Sequence, residues 1–418
     1  MNVLLRSAII IEPNNADIHH KKRDIYIKNG LIHKIASKIN LEKGIKEIQL
    51  ENLHVSLGWF DSSVSFGEPG FEERETIENG LKVAATSGFT DIVLNPNTNP
   101  SPDTNSNIVF LKEKSKDFVT ELHPLANLTI KANGNHLAEL FDMKNAGAVG
   151  FYDYKEAITD ANLLKIALLY TQNFQGLVYS YPEESQIKGK GTVNEGKIST
   201  ELGLKGIPVL SEELQIMRDI RILEYTGGKL HIPTVSTANA VKLIAEAKKK
   251  GLDITASVAI HNITLTDEEL KTFDTNFKVK PPLRTQKDCK ALLKALQNGI
   301  IDFITSDHTP IDIEQKRVEF DNAAFGSIGL ESAFGILNTI FETEELITLL
   351  TKGRDRFGIK NYKFKEGEIA NLTLFNTEGD YIFKKSDIKS TSKNSLFLNK
   401  KLKGKVYGSI NHKKMILN

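Results

Sequence analysis

From Gly58 to His308 the chain alternates between two kinds of segment. Short apolar runs read as strands: "GWFDSSVS", "TDIVLNPN", "LHPLANLTI", "AVGFYDY", "GLVYSY", "KLHIPTVS", "DITASVAIH" and "IDFITSDH". Between most of them lie helical patterns: "ETIENGLKVAATSG", "HLAELFDMKNAG", "DANLLKIALLYTQN", "SEELQIMRDIRILEYTGG", "ANAVKLIAEAKKKG" and "DCKALLKALQNG". Several end in glycine just past the last apolar residue, as helix C-termini do. Strands separated by helices pair in parallel, and about eight such units is the count of a closed (β/α)8 TIM-type barrel. The two ends of the chain read differently. "DIYIKNGLIHKIA" is two alternating runs around Asn29-Gly30, a hairpin signal, and "ANLTLFNTEGDYIF" and "GKVYGSINHKKMIL" are short strands with polar turns. The expected fold is therefore α/β: a barrel over residues 52–360 and a small β-sandwich domain built from 1–51 and 361–418.

A chain of 418 residues has room for a large domain and a smaller one. Its net charge of +1 carries no nucleic-acid footprint, and Lys248-Lys249-Lys250 reads as a solvated helix end. The single cysteine, Cys289, rules out an intrachain disulfide and sits in a helical pattern as a small buried side chain. No apolar run approaches a membrane span. The opening "MNVLLRSAIIIEPNN" is broken by Arg6 and reads as a strand rather than a signal peptide, so the cytoplasm is the expected compartment.

A barrel forecasts an active site at the C-terminal ends of its strands. Those ends carry Ser63 and Ser65, Asn95 to Thr98, Asp153, Ser180, Thr234, His261, and Asp307-His308. Ser63 and Ser65 share a face because strand side chains repeat every second residue. Asn97 is a candidate small-ligand contact, although Pro-Asn-Thr after a strand is also an ordinary turn.

The ordered motifs resemble the dihydroorotases, the cyclic-amide branch of the metal-dependent amidohydrolases. They are "EPGFEERETIENGLKVAATSGFTDIVLNPNTNP", "GTVNEGKISTELGLKGIP", "GGKLHI", "DTNFKVKPPLRT", "SDHTP", "FGSIGLES" and "LKGKVYGSI". The resemblance implies hydrolysis of dihydroorotate, or its reverse, in pyrimidine synthesis. It implies one or two zinc ions held by His-x-His, a bridging group, two further histidines and an aspartate.

At the matching places this chain has Ser63, Ser65, Asp153, Ser180, Thr234 and Asp307. The arginine that would hold a substrate carboxylate is Gly67, the asparagine before Pro-Pro-Leu-Arg is Lys280, and a further histidine is Ile311. Hydroxyls are poor zinc ligands, so the expectation is no zinc and a mouth filled by small residues. A hard ion such as Mg²⁺ is the alternative occupant. Asp307 would retain the family's base position, and Asn97, Arg284 and His308 are the candidate substrate contacts. The six vestigial positions should converge at the mouth, with Asp153 and Asp307 close enough to raise one carboxyl pKa. His261 and His308 read as hydrogen-bonded structural histidines.

Metal-deficient relatives of this kind assemble with aspartate transcarbamoylase. The resemblance thus implies a non-catalytic assembly partner, as a homo-oligomer with no nucleic-acid or membrane partner. The alternative is an active dihydroorotase or related cyclic amidohydrolase with an altered metal site.

Overall fold

All eight expected strands form one parallel sheet in the computed structural model, which describes residues 1–40 and 44–418. In chain order they are Trp59–Val64, Phe89–Leu94, Glu121–Ala126, Gly150–Phe151, Leu177–Tyr179, Lys229–Ile232, Ile254–Ala259 and Phe303–Thr305. The sheet closes between its first and last strands, where Val64 bridges His308 and the Ser65 N–H donates to the His308 carbonyl at 2.7 Å.

Helices wrap the outside. The helix Ile77–Thr86 starts where the Thr76 hydroxyl accepts from the Asn79 N–H, and it buries Ile77, Leu81, Val83 and Ala84. A separate interior cluster fills the barrel with Phe60, Val93, Leu125, Tyr179, Phe303 and Phe357. The barrel is thus a filled core, and only its rims are open to chemistry.

The terminal sheet has eight strands from both ends of the chain. Its middle runs Asn2–Ile10, His54–Leu57, Asn371–Ile382, so strand His54–Leu57 joins the two termini and the sheet extends past residue 51. Asn29 and Gly30 both have positive φ (54° and 83°), as a tight hairpin turn requires. Chain then passes to the barrel at Gly58, where a Cβ would lie 2.2 Å from Thr90 Oγ1 and 2.3 Å from Asn371 Oδ1. Between two of its strands, the stretch 383–400 leaves the sheet and crosses to the loops over the barrel. There Asn394 Nδ2 donates to the Thr309 and Gly326 carbonyls, both at 3.1 Å, and Asn394 Oδ1 accepts from the Ile311 N–H. Among the described residues no helix is long and apolar enough to cross a membrane.

The rim opposite the mouth is closed by Arg354. Its guanidinium donates to Asp91 Oδ2 at 2.9 and 3.1 Å and to the Gly58 carbonyl at 2.7 Å, tying the chain after the last barrel helix to strands one and two. Both partners are buried. Breaking one half of a buried pair strands a charge. Arg354→Met is therefore expected to destabilise the fold by on the order of 3 kcal/mol in urea titration; a loss below about 1 kcal/mol would contradict this role.

Candidate functional site at the barrel mouth

Ser63 and Ser65 end strand one side by side, and neither hydroxyl is free. Asn95, at the end of strand two, donates through one amide nitrogen to Ser63 Oγ (3.0 Å) and Ser65 Oγ (3.1 Å). Ser63 Oγ in turn donates to Asp307 Oδ1 at 3.3 Å. The other Asp307 oxygen meets an ammonium: Lys155 Nζ lies 2.8 Å from Oδ2. Asp307 is 2% exposed and Lys155 9% exposed, so this ion pair is desolvated.

Lys155 is fixed from several sides. Its N–H donates to the Tyr152 hydroxyl at 3.0 Å, and its carbonyl accepts from Lys280 Nζ at 2.6 Å. Its Nζ stands 5.3 Å from the Tyr154 ring centroid. Lys280 is itself held by Glu183 Oε1 at 3.1 Å and lies over the Tyr181 ring. Lys155 has φ +55° and Asp307 φ +48°, a left-handed backbone that side chains other than glycine seldom adopt.

The other expected site residues do not all join this centre. Asp153 turns to the loop after strand three, where it accepts from the Leu128 and Thr129 N–H groups (3.0 Å each) and the Thr129 hydroxyl. Ser180 faces the helix layer and donates to Asp219 Oδ2 at 2.6 Å, because Leu177 and Tyr179 of strand five, and Tyr181 just after it, turn into the barrel. Thr234 is buried with φ +48°, and its Oγ1 has no partner among the described residues. The expected convergence of six positions thus reduces to Ser63, Ser65 and Asp307 in one bonded network.

Arg284 is not free to bind substrate. It donates to Ser236 Oγ (3.1 Å), Asn194 Oδ1 (2.9 Å) and the Ile207 carbonyl (2.8 Å), and so anchors the loop after strand five. His308 Nδ1 accepts from the Gly329 and Leu330 N–H groups at 3.2 and 3.4 Å, which holds the start of the helix Leu330–Leu337. Asn97 is half-buried with an unpartnered Oδ1. Gly67 has φ +140°, and a Cβ there would lie 2.6 Å from the Phe71 carbonyl oxygen, so an arginine at this place would be strained. Cys289 is inert: burial pushes its thiol up to about 11.

Electrostatics follow from burial. Desolvation is the largest influence on Lys155 and opposes its charge, but Asp307 and Tyr154 together raise the lysine pKa. Burial holds the Asp307 carboxyl above its ordinary value, with the Lys155 ammonium and the Ser63 hydroxyl opposing that rise. Asp153 is raised by burial, with its Thr129 bonds opposing, and not by Asp307.

Does this donor set fit zinc? Its carboxylate Asp307 is already paired with an ammonium, and Ser63, Ser65 and Asn95 offer neutral oxygen or an amide donor. Among the described residues, His, Cys, Asp and Glu side chains gather at metal-ligating separations in two places, His19-His20-Glu344 and Asp91-Glu121-His123. The second lies at the opposite rim, on the Arg354 partner Asp91, and neither includes a mouth residue. The mouth's donor set is not the imidazole, thiolate and carboxylate set from which zinc sites are built. Two cavities of about 810 and 800 Å³ lie elsewhere, and neither is lined by Ser63, Ser65, Lys155 or Asp307.

Residues 54–240 match the family described as Dihydro-orotase-like. A dihydroorotase of Carboxydothermus hydrogenoformans is 37% identical over 412 residues, covering 97% of this chain and 95% of the relative. One of Caldicellulosiruptor saccharolyticus is 39% identical, covering 96% and 95%. The chain belongs to the dihydroorotase family. Its fold also matches an L-hydantoinase from Arthrobacter aurescens, with a TM-score of 0.86 at 20% identity over 100% of this chain and 96% of that one. Within this family frame, the mouth residues that sequence reasoning missed are Lys155 and Glu183, while Asn95 was named only as a strand end. The position of Lys155, two residues past Asp153 at the end of strand four, was the available signal.

His261 and His308 are buried, and desolvation lowers both to about 3. The folded value lies below the ordinary 6.5, so between these two values the unfolded chain binds protons that the native state refuses. Stability should therefore fall as pH drops from 6.5 toward 3, by on the order of 3 kcal/mol per histidine at about pH 4. Thermal melts of the wild type and His308→Asn, which keeps an acceptor for the two N–H groups, test this. The variant should show a flatter acid limb, and an unchanged limb would contradict it.

Proposed function

We propose that the chain is a dihydroorotase-like protein of pyrimidine biosynthesis that lacks zinc-dependent hydrolysis and serves as a non-catalytic assembly partner. The observation that carries this reading is the Lys155–Asp307 ion pair at 2.8 Å, in a mouth where, among the described residues, no three His, Cys, Asp or Glu side chains gather at metal-ligating separations. Without a metal there is no Lewis acid and no water acidified to near neutral pH. Asp307 has a base's place but is held by Lys155 and Ser63.

An assembly role asks for fold and surface. Three neighbouring barrel helices, Leu140–Ala146, Ala161–Thr171 and Val209–Thr226, expose Phe141, Leu169, Tyr170, Met217 and Tyr225, an apolar display that supports contact with another chain. The partner implied by the family resemblance is aspartate transcarbamoylase, with a homo-oligomer as the accompanying expectation.

A second reading is an active dihydroorotase that hydrolyses dihydroorotate to carbamoyl-aspartate through an altered site. The names of the relatives, at 37 and 39% identity over nearly the whole chain, favour it. Two measurements on one preparation separate the readings. Elemental analysis is expected to find well below one zinc per chain, and a dihydroorotate assay no turnover above background. Turnover on the order of 1 per second or faster would establish the second reading instead.

A further inference from the structure

The mouth contains a cation, and it is part of the chain. We infer that the Lys155 ammonium is a built-in replacement for the metal ion: it supplies the positive charge that Asp307 requires and makes the barrel mouth metal-independent. The inference deepens the non-hydrolytic reading and rests on it for the missing imidazoles.

Burial sets the first requirement. Asp307 projects from the end of strand eight into a site that is closed to water, at 2% exposure. An ionised carboxylate there needs a compensating charge and donors for its remaining lone pairs. Ser63 Oγ supplies one donor at 3.3 Å, but a neutral hydroxyl supplies no charge. The titratable and charged groups around the pair come from several elements. They are Tyr152 and Tyr154 after strand four, Tyr181 and Glu183 after strand five, His261 after strand seven, and Lys280. Lys280 is turned to Glu183 and to the Lys155 carbonyl. His261 is buried and neutral. The cation paired with Asp307 is Lys155.

Geometry comes second. Lys155 reaches Asp307 from a left-handed backbone at φ +55°. Bonds at both its amide ends hold that conformation, from the Tyr152 hydroxyl on one side and Lys280 Nζ on the other. A surface lysine that happened to lean inward would not be gripped this way. Lys280, where the family resemblance places asparagine, thus positions Lys155 and completes the substitution of side chains for an ion.

The test is a double-mutant cycle on the full chain: Lys155→Met, Asp307→Asn and both together, each melted with EDTA and with added zinc. Lys155→Met leaves a bare buried carboxylate and should lower Tm by about 5 °C or more. The double variant should recover at least half of that loss, because neither charge remains. Zinc should move the wild-type Tm by less than about 1 °C. Losses that simply add, or a wild-type Tm raised several degrees by zinc, would overturn the inference.

If Lys155→Met does not fold, Asp307→Asn and the double variant carry the same information. The first keeps a lone buried ammonium, so the double variant should melt at or above it, and a lower melting point overturns the inference. Wild-type turnover of dihydroorotate would remove the non-hydrolytic reading while leaving the measured coupling intact, so the two failures are distinguishable.

Discussion

A buried carboxylate at the end of strand eight is the constraint around which this barrel mouth is arranged. Asp307 cannot be left alone in a water-excluded site. Lys155 neutralises it at 2.8 Å, and the neighbouring groups follow from that pairing. Ser63 fills the second oxygen, Asn95 orders Ser63 and Ser65, and Lys280 with Glu183 clamps the lysine's backbone. Ser63 and Ser65, which end strand one, are therefore parts of a hydrogen-bonded network around the Lys155–Asp307 pair.

The scaffold around this centre keeps the family's architecture. The sheet closure and the crossing stretch 383–400 hold the mouth loops, and the Arg354–Asp91 clamp closes the far rim, all without involving the Asp307 side chain. Arg284 contributes in the same way, by binding Asn194 and Ile207 in the loop after strand five. Fold and mouth chemistry are separable, as is general for barrels whose chemistry sits on loops over a filled core.

Much of the fold was legible in the sequence. Each of the eight strands and the six helical patterns named from periodicity forms, as does the Asn29-Gly30 hairpin. The helix Asn105–Lys114 escaped because it buries only Ile108 and Leu111 and exposes Val109 and Phe110, so no amphipathic stripe is present. Strand His54–Leu57 looked like the barrel's entry, yet it pairs in the terminal sheet.

The site was legible by residue type more than by direction. Alternation placed Ser63 and Ser65 correctly on one face. Ser180 was expected at the mouth, but strand five turns Tyr179 and Tyr181 inward and sends Ser180 to Asp219. Asp153 was expected beside Asp307, but nearby backbone N–H groups in the loop after strand three capture it. Lys155 follows a strand, where a lysine ordinarily reads as solvated, and its burial depends on contacts with residues more than a hundred positions away. The most direct measurement of its role is a crystal grown with zinc and examined by anomalous diffraction at the zinc edge. No anomalous peak is expected at the mouth, with a lysine ammonium within hydrogen-bond distance of Asp307; a peak at about 2.0–2.2 Å from the Asp307 carboxylate would contradict this role for Lys155.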